Sequence, residues 1–467
     1  MNAGRLARAA ATRGVWLAAA LLAGLAALTQ PGPLQRLDLL LYDALEPLAR
    51  PAGSAPQAAI IAIDEASLVE LGRWPWRRDL HAAVLDRLTD AGVGAVGMAV
   101  LFPEPAEGDM VLARALERAG NVVLAAAPGA LPGGHGVRDL LPTGTLIEKA
   151  AAIGHVDVEV DADSLARRSF ERAGTDAPSW PALSLAVLNR MPSPRVQPPD
   201  TVTIATGAGT AAWMRAGEML LPYPDAGLRP PRYSALDIVQ DAALAASLRG
   251  KAVFIGTTAA GLDAGLATPG AAHASPMPAV EFHARAFEAA RNGQLYRSTD
   301  RATQAVFTLL ALVLPLLACP LLGPRGIVAS AAFVFAPPLA SGIILHAARL
   351  WIPPAAAMAG FALGYLMWFA LHLKQIRGSL QRSRLGAEAT LRSIADAVIT
   401  VDGAGRVVLI NAVAEKLAGV TMDQARGRGA VDILAACCAE ADEIGRRLAA
   451  CLRGGETLRM PEAVNWR

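Results

Sequence analysis

The chain has 467 residues, of which 53% are hydrophobic and 18% charged, with a net charge of +2. Soluble domains carry about 25% charge, so the composition argues against a disordered, collagen-like or wholly soluble chain. So small a net charge gives no support for a nucleic-acid partner, and four cysteines without CxxC spacing argue against a disulfide scaffold and a zinc site.

Gly14–Gln35 contains no Asp, Glu, Lys or Arg. That length suits the roughly 20 apolar residues a membrane helix needs and predicts a first transmembrane helix within 1–35. A cleaved signal peptide is the alternative. Residues 36–300 then read as alternating strands and helices. Ala58–Ile63 is a continuous apolar run, suited to a strand buried on both faces. Arg78–Ala91 carries Leu80, Val84, Leu85 and Leu88 on one helical stripe. Val93–Phe102 is a second strand, Asp109–Ala119 a helix with Asp109 as N-cap, and Asn121–Ala127 a third strand. The uncharged run Ala119–Val137 holds Pro128, Gly129 and Pro132, so it reads as strand and loop rather than a span. Lys251–Gly256 is a further strand and Val280–Arg291 a further helix. The order predicts an α/β domain with a parallel or mixed sheet covered by helices.

Candidate binding residues follow from this order. Asp64 and Glu65 end the first strand, where open α/β sheets place their sites. Trp74, Trp76, Arg77 and Arg78 follow closely, and Asp109 opens a later helix. Asp64, Glu65 and Arg78 suit a charged small ligand with a tryptophan wall. The structural alternative has Asp64 capping the next helix, Arg77 or Arg78 paired with it, and the tryptophans packed. A hydrolase built on Ser67, His81 and Asp64 lacks a nucleophile elbow. His81, His155, His273 and His283 are scattered and predict no metal site. Gly256–Gly261 follows a strand, lacks the phosphate-loop lysine, and reads as a turn that needs glycine backbone angles.

Ala302–Pro324, Gly326–Ala348 and Leu350–Leu373 are uncharged again. They predict three closely spaced membrane helices within 301–374, kinked at Pro315, Pro337, Pro338, Pro353 and Pro354. A transporter would place ionisable residues deep in its spans, whereas His346 and His372 sit near span ends. Arg5, Arg8, Arg13, Arg325, Lys374, Arg377, Arg382 and Arg384 share one side if both termini are cytoplasmic. Cys319, Cys437, Cys438 and Cys451 agree, since none lies in the 31–300 segment placed outside. Gln375–Ile394, with Leu380, Leu385, Leu391 and Ile394 at heptad-like spacing, predicts a signalling helix. A solvated linker is the alternative. Asp396–Asp402 and Arg406–Asn411 form a hairpin across Gly403–Gly405, and Ala412–Ala418 forms a short helix.

Several of these stretches resemble a known receptor module. Ile60–Leu68 (IIAIDEASL), Leu71–Arg78 (LGRWPWRR), Leu101–Pro105 (LFPEP) and Asp109 resemble the CHASE sensor domain of the second class, an extracellular module of bacterial receptors. Gly154–Asp163 (GHVDVEVDAD) with Arg167 and Arg168 resembles its aspartate-arginine motif. Tyr233–Ala235, Lys251–Gly261 and Glu281–Ala284 resemble its later strand, loop and last helix. Where the family has an aspartate, this chain has Ala99. The hairpin, Asn411 and the 412–418 helix resemble the start of a PAS domain, over 395–467, with Asp396 and Asn411 as signalling residues. The resemblance implies a bacterial inner-membrane receptor, multi-pass, with an α/β sensor, four transmembrane helices and an α+β PAS domain.

No histidine follows His372, so a haem axial histidine is missing from the PAS region, and Cys437 and Cys438 are not in a flavin-adduct motif. No cofactor is identifiable. No GGDEF, EAL or kinase motif occurs, so the chain is not expected to be an enzyme, although the resemblance connects such receptors with cyclic-di-GMP, cyclase or kinase outputs. The expected partners are an unknown small extracytoplasmic ligand, the lipid bilayer, a second copy of the chain and a separate cytoplasmic output protein. Two other functions stay open: an extracytoplasmic enzyme using Asp64 and Glu65, and a ligand-free scaffold for a partner kinase or cyclase.

Overall fold

The computed structural model describes residues 3–50, 54–131, 136–192, 212–223, 229–269, 276–318, 331–393, 396–435 and 441–454. Two compact units, Met1–Tyr365 and Leu366–Arg467, divide the chain. Expectations that fell on His273, Cys319, Arg325, Ile394, Cys437, Cys438 and the last residues of the PAS region lie outside the described residues.

The first unit is built on a sheet of seven strands. They are β1 (Ala58–Ile63), β2 (Ala95–Met98), β3 (Val122–Ala130), β4 (Val137–Leu140), β5 (Ala152–His155), β10 (Arg232–Ser234) and β11 (Ala252–Thr257). The order is β10-β1-β11-β2-β3-β4, with β5 also on β3. All pairs are parallel except β3–β4. All six β1 residues are buried, because helices cover both faces. Successive residues alternate between two cores. Ile61, Ile63, Val96, Leu124 and Ile255 face helices Arg78–Ala91 and Asp109–Ala119. Ile60, Val123 and Phe254 face helices Leu183–Leu188 and Ala279–Arg291. The predicted strands and helices are therefore present, with strand 93–102 shortened to four residues.

A second sheet escaped the sequence reading. It orders β13 (Leu350–Trp351), β12 (Tyr296–Ser298), β9 (Trp213–Leu220), β7 (Ala166–Thr175) and β6 (Glu159–Val160), with β8 (Trp180–Pro181) on β7. It is largely antiparallel. Only β12–β13 is parallel.

Among the described residues, which leave out 319–330 of the second and third expected spans, the four expected membrane helices are not all present. Among the described residues one helix, Ala355–Gln381 within Ala355–Ser393, is long and apolar enough to cross a membrane. The count becomes two if the bent pair Gly14–Thr29 and Gly32–Ala49, turned through 81°, forms one span. The break lies at Gln30 and Pro31, and the second arm carries Arg36, Asp38, Asp43 and Glu46. Arg301–Val313 and Ala332–Ala348 are apolar but shorter. Leu350 and Trp351 join the second sheet instead of starting a span. Pro337 and Pro338 occupy a helix's first turn, and Pro353 and Pro354 precede one, so none of these four kinks a helix interior.

In the second unit β14 (Ile399–Val401) and β15 (Val407–Ile410) form the expected hairpin, followed by helix Ala412–Ala418. Val407, Ile410, Ala414, Ala425 and Ile433 make its core.

Candidate functional site

The predicted binding residues fall into two separate clusters. Asp64 is the N-cap of helix Glu65–Glu70. Its Oδ1 accepts from Ser67 N at 3.0 Å, Ser67 Oγ at 2.7 Å and Ser234 Oγ at 2.9 Å. Burial pushes this carboxyl up, but the bonds from Ser67 and Ser234 outweigh it and hold it below its ordinary value. Glu65 is exposed and accepts from Ala260 N at 2.8 Å.

Arg77 and Arg78 pair elsewhere, not with Asp64. Exposed Arg77 meets Asp79 and Glu107 at 3.2 and 3.4 Å. Arg78 pairs with Asp109 at 2.9 Å and lies 4.5 Å over the Phe102 ring. Asp109 is not the expected N-cap. Gly108, at φ 90°, takes that position, and the Asp109 carboxylate holds Arg78 and Ala106 N. His81 packs edge-on between Trp74, at 6.0 Å, and Phe102, at 5.2 Å, with Trp76 at 5.6 Å. Burial, with help from the Arg78 charge, pushes it down to about 4. Ser67 thus bonds Asp64 and Ser234, while His81 sits in the aromatic cluster, and the two do not make a triad. In the Gly256–Gly261 loop, Gly261 has φ +82° as a turn requires. Gly256 is needed for a different reason: a Cβ there would meet Val280 Cβ at 2.6 Å.

Asp64→Ala removes a cap, and the expected cost is about 1 kcal/mol in thermal or denaturant unfolding. Because the folded pKa is depressed, that contribution is complete above the unfolded value near 4 and is lost as pH falls through the folded value. A variant as stable as the parent at neutral pH would contradict the capping role.

The densest polar network lies on the second sheet. Arg167 is fully buried, at 0% exposure. It donates to Asp43 at 2.8 and 2.7 Å, to Asp161 at 2.9 Å, and to Asp163 at 2.8 and 2.7 Å. Arg168 pairs with Asp161 and Glu218 at 2.6 and 2.9 Å. Arg215 holds Asp157 at 2.6 Å, and Trp213 donates to the same carboxylate at 2.9 Å. His155 Nε2 lies 3.0 Å from Phe170 O, and burial pushes its ring down to about 4. The alternating acids of Gly154–Asp163 were the sequence signal for this network; Asp43 gave none.

Beside the network opens a cavity of about 670 Å³, within the range of small-ligand sites. Arg168, Phe170, Arg215 and Glu218 line it from the second sheet. Trp351 lines it from β13, and Gln30, Asp38 and Gln304 line it from the apolar helices and their connections. Asp38 Oδ1 accepts from Ala355 N at 2.7 Å, where the positive end of helix Ala355–Ser393 favours a carboxylate. None of the predicted binding residues lines this cavity.

In the second unit, buried Asn411 caps helix Ala412–Ala418. Its Oδ1 accepts from Val398 N and Ala414 N, and its Nδ2 donates to Asp396 O at 2.8 Å. The two predicted residues therefore meet, through the Asp396 backbone. Among the described residues no group of His, Cys, Asp and Glu is arranged to hold a metal ion.

A family model described as CHASE2 domain matches residues 17–323. A second, described as PAS fold, matches residues 391–465. No curated protein and no solved structure matches the chain.

Proposed function

The chain belongs to the CHASE2 domain family and carries a PAS fold behind that domain, which makes it a CHASE2/PAS sensor protein; from that premise we propose that it is a membrane receptor whose CHASE2 domain reads an extracytoplasmic ligand and relays it through helix Ala355–Ser393 to the PAS module. The observation that carries this reading is the anchoring of the residues before that helix. Leu350 and Trp351 pair with Arg297 and Ser298 in the sensor's own sheet, and Asp38 binds Ala355 N. A shift in the second sheet therefore pulls on the first turn of a continuous 39-residue helix. Ligand binding biases such an element only by differing in affinity for its two positions. A homodimer gives the helix a partner to move against, and the output reaches a cyclase, phosphodiesterase or kinase as a separate protein or a further domain.

Inserting one residue after Arg384 turns everything beyond it by about 100°. The basal output of a reporter cyclase fused after Arg467 is expected to invert or vanish, and seven inserted residues, about two turns, to restore it. Output unchanged by the single insertion would end the relay model.

A further inference from the structure

We propose that the cavity beside the second sheet binds a small organic cation, a primary ammonium or guanidinium compound, through the Asp38 carboxylate. This rests on the receptor reading for its consequence but not for its chemistry. Four carboxylates and three guanidiniums line the cavity, Asp38, Glu159, Glu218 and Asp300 against Arg168, Arg215 and Arg301. Most already have partners. Glu218 is held by Arg168 at 2.9 Å, and Glu159 lies 3.8 Å from Arg215. Arg168 and Arg215 are also bound to Asp161 and Asp157. Asp300 caps its own helix through Thr303 N at 2.7 Å. Arg301 is exposed, so water screens its charge.

Asp38 differs from these. It is half-buried, and among the described residues no Lys or Arg lies within ion-pair distance of it. Its one hydrogen bond comes from Ala355 N. A carboxylate so placed lacks the counter-charge that buried ions require, and a ligand cation supplies it. Trp351 gives that cation an aromatic wall, whereas an anion would meet four carboxylates against three guanidiniums. A proton and a cation compete for the same carboxylate oxygens, so affinity falls as pH drops. A cation on Asp38 also competes with Ala355 N–H, which puts occupancy of the cavity in contact with the first turn of the relay helix.

The test is calorimetric titration of the full chain in lipid nanodiscs with putrescine, and with 1,4-butanediol and succinate as neutral and anionic probes of the same length. Putrescine is expected to bind and the other two not. Asp38→Asn is expected to weaken putrescine by about ten- to a hundredfold, and Asp38→Glu to retain binding. Equal affinity of wild type and Asp38→Asn, preference for succinate, or no putrescine binding to the wild type each overturns the proposal. Should Asp38→Asn fail to fold, the probe selectivity and pH dependence of the wild type decide. Putrescine binding with no output change on insertion at Arg384 would defeat the relay alone. A working relay without putrescine binding would defeat this site alone.

Discussion

Replacing Arg167 by methionine is expected to destabilise the 1–365 unit by about 3–5 kcal/mol, the cost of breaking a buried ion cluster from one side. The reason lies in what remains. Arg167 is wholly buried and satisfies three carboxylates, Asp43, Asp161 and Asp163. Methionine fills a similar volume but leaves Asp43 and Asp163 without their guanidinium and Asp161 with Arg168 alone. In a unit of this size the loss lowers the melting temperature by about 4–7 °C. Adding Asp43→Asn and Asp163→Asn is expected to recover part of it, since fewer buried charges then stand unpaired. Thermal unfolding of the single and triple variants gives the answer. A single variant within about 1 kcal/mol of the parent would show that the cluster does not hold this region together. Arg167 also ties strand β7 to helix Gly32–Ala49, so its removal is expected to loosen the cavity wall carrying Asp38.

Gly154→Ala is the second large effect. A Cβ at Gly154 would sit 2.7 Å from Leu183 Cα and 3.0 Å from Leu183 N. These are backbone atoms, so no side-chain rotation relieves the clash, and helix Leu183–Leu188 must move off the sheet. Overpacking of this kind costs about 1–3 kcal/mol or more. Because β5 pairs with β3 through Gly154 and Ala125, the damage reaches the sheet edge next to His155. Gly144→Ala is the control, since nothing lies within 4 Å of a Cβ there. Equal melting temperatures for the two variants would refute the close-approach argument.

Several elements were legible to the residue. Helices Arg78–Ala91, Asp109–Ala119 and Ala412–Ala418 begin and end where periodicity and flanking glycines place them. Strands β1, β3 and β11 were legible because a strand buried on both faces is apolar throughout. The candidate binding residues were harder to read. Asp64, Trp76 and Arg78 stand in a conspicuous motif, yet their partners turn them to capping and packing. Asp38, by contrast, is one acid in a helix with no motif around it.

The residues alone determined the parallel core, its covering helices and the hairpin of the second unit, because each depends on hydrophobic periodicity within a dozen positions. They also determined that the chain has apolar stretches of membrane length. Folding decided how those stretches are cut: Gln30 and Pro31 break the first, and Leu350–Trp351 leaves the last to pair with Arg297–Ser298. It also decided the second sheet, where β6, β8, β12 and β13 have only two or three residues and the longer β7 and β9 interleave arginines and glutamates with apolar residues, so neither kind carries a clean local pattern. The charged network has the same origin. Asp43 and Arg167 lie 124 positions apart, and what a carboxylate does depends on the charge brought beside it, which no local spacing encodes.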